Sequence, residues 1–355
     1  MPTIHPTHPR LRGWGPALLA SLSLTLGLGT QPAFAQVADT PAAASAPTAA
    51  APVGEVSIAG GAAPLYGTYL RPEGWRGGVA VLMQAGSGPS DRDGNATTLR
   101  VRSDVLKLIA QGLAAHGIAS LRVDKRCIAK SAAACPGEDK LRFTTYVDDM
   151  TAWARFLAHQ PQVRCVMLLG HSEGATIATL AATRLAAEGV AVCGVLSLSG
   201  AGRPFEDIRL QQLRDRGAPP DVLGQVATIQ AALKAGRTVD DVPPGLKALY
   251  RPSIQPYLMS MDAVSPTQAA AGLTVPLLVL QGETDLQVSV EDAHRLAQAQ
   301  PTATLALIPG ANHVLKTAPA EPKANIATYA DPTLPLAPGV MEAITAFIDQ
   351  AAPGK

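Results

Sequence analysis

The pentapeptide Gly170-His171-Ser172-Glu173-Gly174 sets a serine between two glycines, a pattern suited to nucleophilic catalysis by a hydroxyl. The glycines permit a sharp turn from strand to helix that side chains would obstruct, and the turn leaves the hydroxyl exposed near a helix N-terminus. A free serine hydroxyl is a poor nucleophile, so it needs a base in reach and an acid to orient that base. Both lie downstream. Asp285 closes the loop Gly282-Glu283-Thr284-Asp285 after the apolar run Val275-Pro276-Leu277-Leu278-Val279-Leu280-Gln281, and it is preferred to Glu283 as the acid. His313 closes Pro309-Gly310-Ala311-Asn312-His313 after Thr304-Leu305-Ala306-Leu307-Ile308. Of the seven histidines, His5 and His8 fall in an N-terminal leader, His116, His159 and His294 fall on or at the ends of expected helices, and His171 packs in the turn. His313 is therefore the candidate general base.

These side chains need a scaffold that delivers them from the ends of strands. Apolar runs at 78–83, 118–123, 163–169 and 190–198 read as strands, and stretches with helical spacing fall between them at 103–116, 144–159 and 175–188, with Ser103 as the expected cap of the first. Alternation of this kind predicts an α/β fold, a mostly parallel central sheet flanked by helices on both faces, with ligands at the carboxyl ends of its strands. Ser172, Asp285 and His313 all follow expected strands, in the order that a strand–serine–helix elbow of this type uses. An acyl-transfer site also needs donors for a developing oxyanion. The backbone N–H of Glu173 is one candidate, and the N–H of Ser87, in Ala85-Gly86-Ser87-Gly88-Pro89 after the strand ending near Gln84, is the other.

Five segments together resemble the α/β-hydrolase superfamily, and within it a branch of bacterial serine esterases. They are Gly86-Ser87-Gly88-Pro89-Ser90-Asp91-Arg92-Asp93-Gly94-Asn95, Asp124-Lys125-Arg126, the pentapeptide around Ser172, Gln281-Gly282-Glu283-Thr284-Asp285-Leu286-Gln287-Val288, and Asn312-His313-Val314-Leu315-Lys316. The resemblance implies the α/β-hydrolase fold, hydrolysis of small-molecule carboxylic esters through an acyl-enzyme, no metal or organic cofactor, and the roles assigned above to Ser172, Asp285 and His313. The chain departs from the superfamily pattern at Gln84-Ala85, where His-Gly is common, and at Cys127 and Ala129, where relatives often carry glycine. The charged residues Asp91, Arg92, Asp93, Asp124, Lys125 and Arg126 are expected to pair across neighbouring loops and stiffen the oxyanion loop.

Arg10 and Arg12 precede an uncharged apolar run and then Ala33-Phe34-Ala35, the layout of a signal peptide over residues 1–35. The run falls short of a bilayer span, so no stable membrane anchor is expected, and the chain is expected in the periplasm or secreted. Residues 36–53, nearly all Ala, Pro, Thr, Ser and Val, are expected to form a disordered linker. A hydrolase domain is expected over 54–351. A net charge of +1 without any basic run argues against a nucleic-acid partner. Export makes pairing of the four cysteines reasonable chemistry. Cys127–Cys135 is the expected disulfide, with Cys165 and Cys193 readable as buried thiols.

More than sixty residues separate the expected strands that end near Ser199 and begin near Val275, counted along the sequence. A small helical cap is expected there, at about 203–265, its last stretch shaping an apolar pocket, with Tyr250, Tyr257, Met259 and Met261 read as plain core and not as site residues. The Pro-rich segment 318–338 is expected to flank the entrance. A peptidase or amidase, a thioesterase or an acyltransferase would share the same three side chains, and a non-catalytic binding protein on the same fold would have lost one of them. Oligomeric state is not legible in the sequence.

Overall fold

Strands whose successive residues are all apolar must be covered on both faces, and the central strands here divide their side chains between two cores. In β3 (Gly78–Gln84), Ala80 and Leu82 enter one core while Val81 and Met83 enter the other. In β5 (Val163–His171), Val166 and Leu168 face the first core and Met167 and Leu169 the second. The computed structural model describes residues 53–352. The expected signal peptide and all but the last residue of the expected linker lie outside that range. That last residue, Val53, already opens a strand.

Among the described residues, eight strands form one sheet in the order β1-β2-β4-β3-β5-β6-β7-β8. β1 (Val53–Ile58) and β2 (Leu65–Leu70) run antiparallel to each other, and β2 runs antiparallel to β4 (Ala119–Val123). All other neighbours are parallel: β4 with β3, β3 with β5, then β6 (Val192–Leu198), β7 (Leu277–Gly282) and β8 (Thr304–Ile308). Helices α1 (Val105–Ala115) and α11 (Val340–Ala351) cover one face through Ile109, Leu113, Ile344 and Phe347. Helices α2 (Phe143–Ala158) and α3 (Glu173–Ala187) cover the other through Trp153, Leu157, Ile177 and Ala181. The fold is that of an α/β hydrolase, as the alternation and the motifs predict.

Three details differ from the sequence-based expectation. The β1–β2 hairpin was not expected, because β2 carries Gly67, a residue that weakens strand patterning. A Cβ there would sit 2.9 Å from Leu121, 3.0 Å from the Arg122 carbonyl oxygen and 3.3 Å from Trp153, so the close packing of β4 and the indole leaves no room for a side chain. Asp104 and not Ser103 stands at the N-cap position of α1, with no capping bond from its side chain; the Ser103 hydroxyl accepts Val105 N–H at 3.4 Å and donates to the Gly94 carbonyl at 3.2 Å.

Cysteine pairing is the third. Cys127–Cys135 forms as expected, but Cys165 and Cys193 are also joined. The β5–β6 register passes from Val166↔Val192 to Met167↔Gly194, which leaves Cys193 as an extra residue on its strand and turns it toward Cys165. The bridge closes a loop of 28 residues, for which loss of unfolded-chain entropy gives about 3.5 kcal/mol. Replacing both cysteines with alanine should therefore lower unfolding free energy by about 3.5 kcal/mol in urea titrations without reductant. An unchanged midpoint would show that the bridge does not constrain the unfolded chain.

Between β6 and β7 lie α4 (Phe205–Asp215), α5 (Pro220–Lys234), α6 (Lys247–Tyr250), α7 (Gln255–Asp262) and α8 (Pro266–Ala271). They occupy the stretch where the helical cap is expected. After β7 come α9 (Val290–Ala299) and, beyond β8, α10 (Pro322–Ala327).

Candidate active site

Ser172 joins β5 to α3 with φ +56° and ψ −123°, a left-handed conformation that costs energy for any side chain with a Cβ. The turn is held by Ser172 N–H donating to Leu198 O of β6 at 2.8 Å and by Ala175 N–H donating to Ser172 O at 3.0 Å. Both flanking glycines are needed by space alone. A Cβ on Gly170 would lie 1.9 Å from Gly174 O, and one on Gly174 would lie 2.5 Å from Gln84 O at the end of β3. The Ala85–Pro89 loop passes directly over the serine, for a Cβ on Gly86 would fall 2.9 Å from Ser172 Cβ. The loop predicted to supply an oxyanion donor is thus packed against the predicted nucleophile.

Asp285 and His313 are brought together from two different loops. Asp285 Oδ2 lies 2.8 Å from His313 Nδ1, with the carboxylate side chain 0% and the imidazole 6% exposed. Every acceptor direction of that carboxylate is used. Oδ1 accepts the backbone N–H groups of Gln287 (2.7 Å) and Val288 (3.0 Å), and Oδ2 also accepts Gln281 Nε2 at 2.9 Å. Burial by itself raises the Asp285 pKa, but the neighbouring His313 and these hydrogen bonds outweigh it and hold the carboxyl below its ordinary value. An ionised Asp285 can only accept, so His313 Nδ1 carries a proton, which directs Nε2 to the role of base.

His171 steadies the same loop. Its Nε2 lies 2.7 Å from the His313 carbonyl oxygen, and the two rings are 4.9 Å apart between centroids. Burial, with a further contribution from His313, pushes the His171 pKa down to about 4. The ring is therefore neutral near pH 7, and since a carbonyl only accepts, Nε2 bears its proton. Asn312, fully buried, accepts Val314 N–H and Lys316 N–H and donates to Thr328 Oγ1 at 2.7 Å. Asn325 donates to the Thr284 carbonyl at 2.9 Å, and Gln287 donates to Tyr329 Oη at 3.2 Å. The 318–338 segment thus braces both loops. Among the described residues no hydrogen bond joins Ser172 Oγ to His313; such bonds often tighten only in the substrate complex.

The charged residues of the 91–93 and 124–126 loops are all engaged. Arg92 pairs with Asp124 at 2.6 Å, Asp93 with Arg122 at 2.5 Å and Arg126 with Asp149 at 2.5 Å. Asp91 accepts the N–H groups of Asp93 and Asn95 within its own turn. Lys125, buried, donates to Gly86 O at 2.5 Å and Gly88 O at 2.8 Å. Ser87 Oγ donates to Glu173 Oε2 at 3.0 Å, and Tyr257 Oη of α7 donates to Glu173 Oε1 at 2.9 Å. Burial raises the Tyr257 pKa far above its ordinary value, so the phenol stays a donor.

Residues 100–324 match the alpha/beta hydrolase family. The chain belongs to that family. Esterase EstD of Thermotoga maritima is 28% identical over 233 residues, 64% of this chain and 52% of that protein. The chain therefore spans about half the length of this curated relative. Among solved structures, Est1E of Butyrivibrio proteoclasticus with bound ferulic acid superposes with a TM-score of 0.54 at 14% identity, covering 83% of this chain and 96% of that one. The alpha/beta hydrolase GrgF of Penicillium sp. gives 0.54 at 15% identity over 84% and 99%. At such identities these two establish the fold alone.

Within this alpha/beta hydrolase, the helices after β6 touch the site through Tyr257. Its ring lies 5.7 Å from Tyr146 and 6.3 Å from Phe143 of α2, and Phe143 lies 5.8 Å from Phe205 of α4. Tyr257, read from the sequence as plain core, reaches Glu173, the residue next to Ser172. Sequence alone left three supporting groups unassigned: Gln281, His171 as a clamp on His313, and the Glu173 side chain; Lys125, expected to stiffen the oxyanion loop by pairing with an opposite charge, holds it through the Gly86 and Gly88 carbonyls. For Gln281 a signal existed, since an amide ending a buried apolar strand must find partners.

Proposed function

We propose that this hydrolase cleaves carboxylic esters of small molecules through an acyl-enzyme, with Ser172 as nucleophile, His313 as general base and Asp285 as the acid that orients it. The Asp285–His313 hydrogen bond at 2.8 Å carries the proposal, because it sets the imidazole in the tautomer that can accept a proton. His313 Nε2 removes the Ser172 proton as Oγ bonds to the ester carbon and the carbonyl electron pair moves onto oxygen. The N–H groups of Glu173 and Ser87 hold that oxyanion; neither donates to a protein acceptor among the described residues. The carbon–oxygen bond to the alcohol then breaks, with the alcohol taking the proton from His313, and water repeats the sequence to release the acid. No step requires a metal or organic cofactor.

Ester rather than amide cleavage is favoured by the name of the curated relative, an esterase, and by the resemblance of the segment Gly86-Ser87-Gly88-Pro89-Ser90-Asp91-Arg92-Asp93-Gly94-Asn95 to the oxyanion loop of bacterial esterases. Export to the periplasm or medium is proposed with it. Support comes from the leader-like residues 1–35 and from the engagement of all four cysteines in disulfides. A p-nitrophenyl ester series of increasing acyl length, run beside a p-nitroanilide and a thioester, tests the reaction class. Esters should turn over far faster than the anilide. Equal rates on both would reassign the chain as an amidase, and suppression of hydrolysis by added alcohol acceptors would make it an acyltransferase.

A further inference from the structure

Gly86 C=O and Ser87 N–H belong to one peptide unit. That unit is planar and trans, so its carbonyl and its N–H point in opposite directions. Whatever holds the carbonyl therefore aims the N–H. Lys125 Nζ holds it at 2.5 Å and holds the next carbonyl but one, Gly88 O, at 2.8 Å. The Lys125 side chain comes from the loop after β4 and is buried at 3% exposure, with its ammonium 5.5 Å from the centre of the Tyr146 ring. Ser87 is fixed a second time through its own hydroxyl, which donates to Glu173 Oε2 at 3.0 Å. Glu173 is buried at 5% exposure, and its other oxygen accepts Tyr257 Oη from the cap.

We infer that Lys125 and the Glu173 carboxylate are positioning residues that together preset the Ser87 N–H as an oxyanion donor, the first by orienting the Gly86–Ser87 peptide plane and the second by anchoring Ser87 to the cap. This inference rests on the acyl-transfer function proposed above. A buried ammonium and a buried carboxylate are each costly to desolvate, and here both hydrogen bonds of the ammonium go to the 86–88 loop while the carboxylate ties Ser87 of that loop to Tyr257. A preset donor acts where charge develops, so its loss falls on the transition state more than on bound substrate. Removing an oxyanion donor outright lowers kcat by about 10²–10³-fold, and misaiming one should cost about 10–100-fold.

The test compares wild type, Lys125→Met, Glu173→Gln and Ser172→Ala on one p-nitrophenyl ester, with affinity for an alkyl trifluoromethyl ketone, whose serine adduct bears an oxyanion, measured in parallel. Thermal unfolding reports whether each variant is folded, and Glu173→Gln, which keeps size but replaces one of the two accepting oxygens with an NH₂ donor, carries the test if Lys125→Met is not. The expected result is a kcat lowered about 10–100-fold with KM little changed, and ketone affinity falling by the same factor. Unchanged kcat in folded variants, or a raised KM at constant kcat, would overturn the positioning role while leaving the function intact. A wild type without ester turnover, matched by Ser172→Ala, would overturn the function itself.

Discussion

Changing Ser172 to alanine is expected to lower kcat for ester hydrolysis by about 10⁶-fold while leaving the protein folded. The magnitude follows from the cooperation of nucleophile and base: without the hydroxyl, His313 has no proton to remove, and only oxyanion stabilisation and substrate binding remain to accelerate attack by water. Folding should not suffer. The elbow is held by backbone hydrogen bonds, Ser172 N–H to Leu198 O and Ala175 N–H to Ser172 O, which alanine preserves. The φ of +56° is equally unfavourable for both residues. Equal thermal midpoints with turnover lost are the expected pair of results. Turnover within tenfold of wild type would place the nucleophile elsewhere.

Changing Asp285 to asparagine is expected to lower kcat by about 10⁴-fold with KM little altered. An amide can turn its NH₂ group toward His313 Nδ1, which then becomes the acceptor, and the proton moves to Nε2 where it blocks base function. The alternative orientation fares poorly too, since the N–H groups of Gln287, Val288 and Gln281 all point at the carboxylate oxygens. An amide group facing them leaves buried donors opposed. Stopped assays from pH 6 to 9 would measure the loss. A decrease below tenfold would mean that another acid orients His313.

The sequence marked the residues of this site because each lies at the end of an apolar run, where local pattern and turn chemistry coincide. Gly170 and Gly174 were legible as turn residues, and the close approaches of Gly174 O and Gln84 O explain why nothing larger fits. What local pattern could not supply were partners separated widely along the chain. Lys125 meets Gly86 across 39 residues and Tyr257 meets Glu173 across 84, and neither spacing has a periodic signature. Cys165 and Cys193 read as ordinary core residues because their pairing depends on a one-residue slip between two parallel strands. The β1–β2 hairpin was hidden in a similar way: Gly67 breaks the strand pattern where Leu121, the Arg122 carbonyl and Trp153 leave no room for a side chain.

Labelling of the purified protein with a fluorophosphonate, followed by intact mass and peptide mapping, tests the central proposal most directly. One adduct per chain, located on Ser172, absent from Ser172→Ala and accompanied by loss of ester turnover, is the predicted result. A folded wild type that remains unlabelled, or an adduct on another residue, would contradict the assignment of Ser172 as an activated nucleophile.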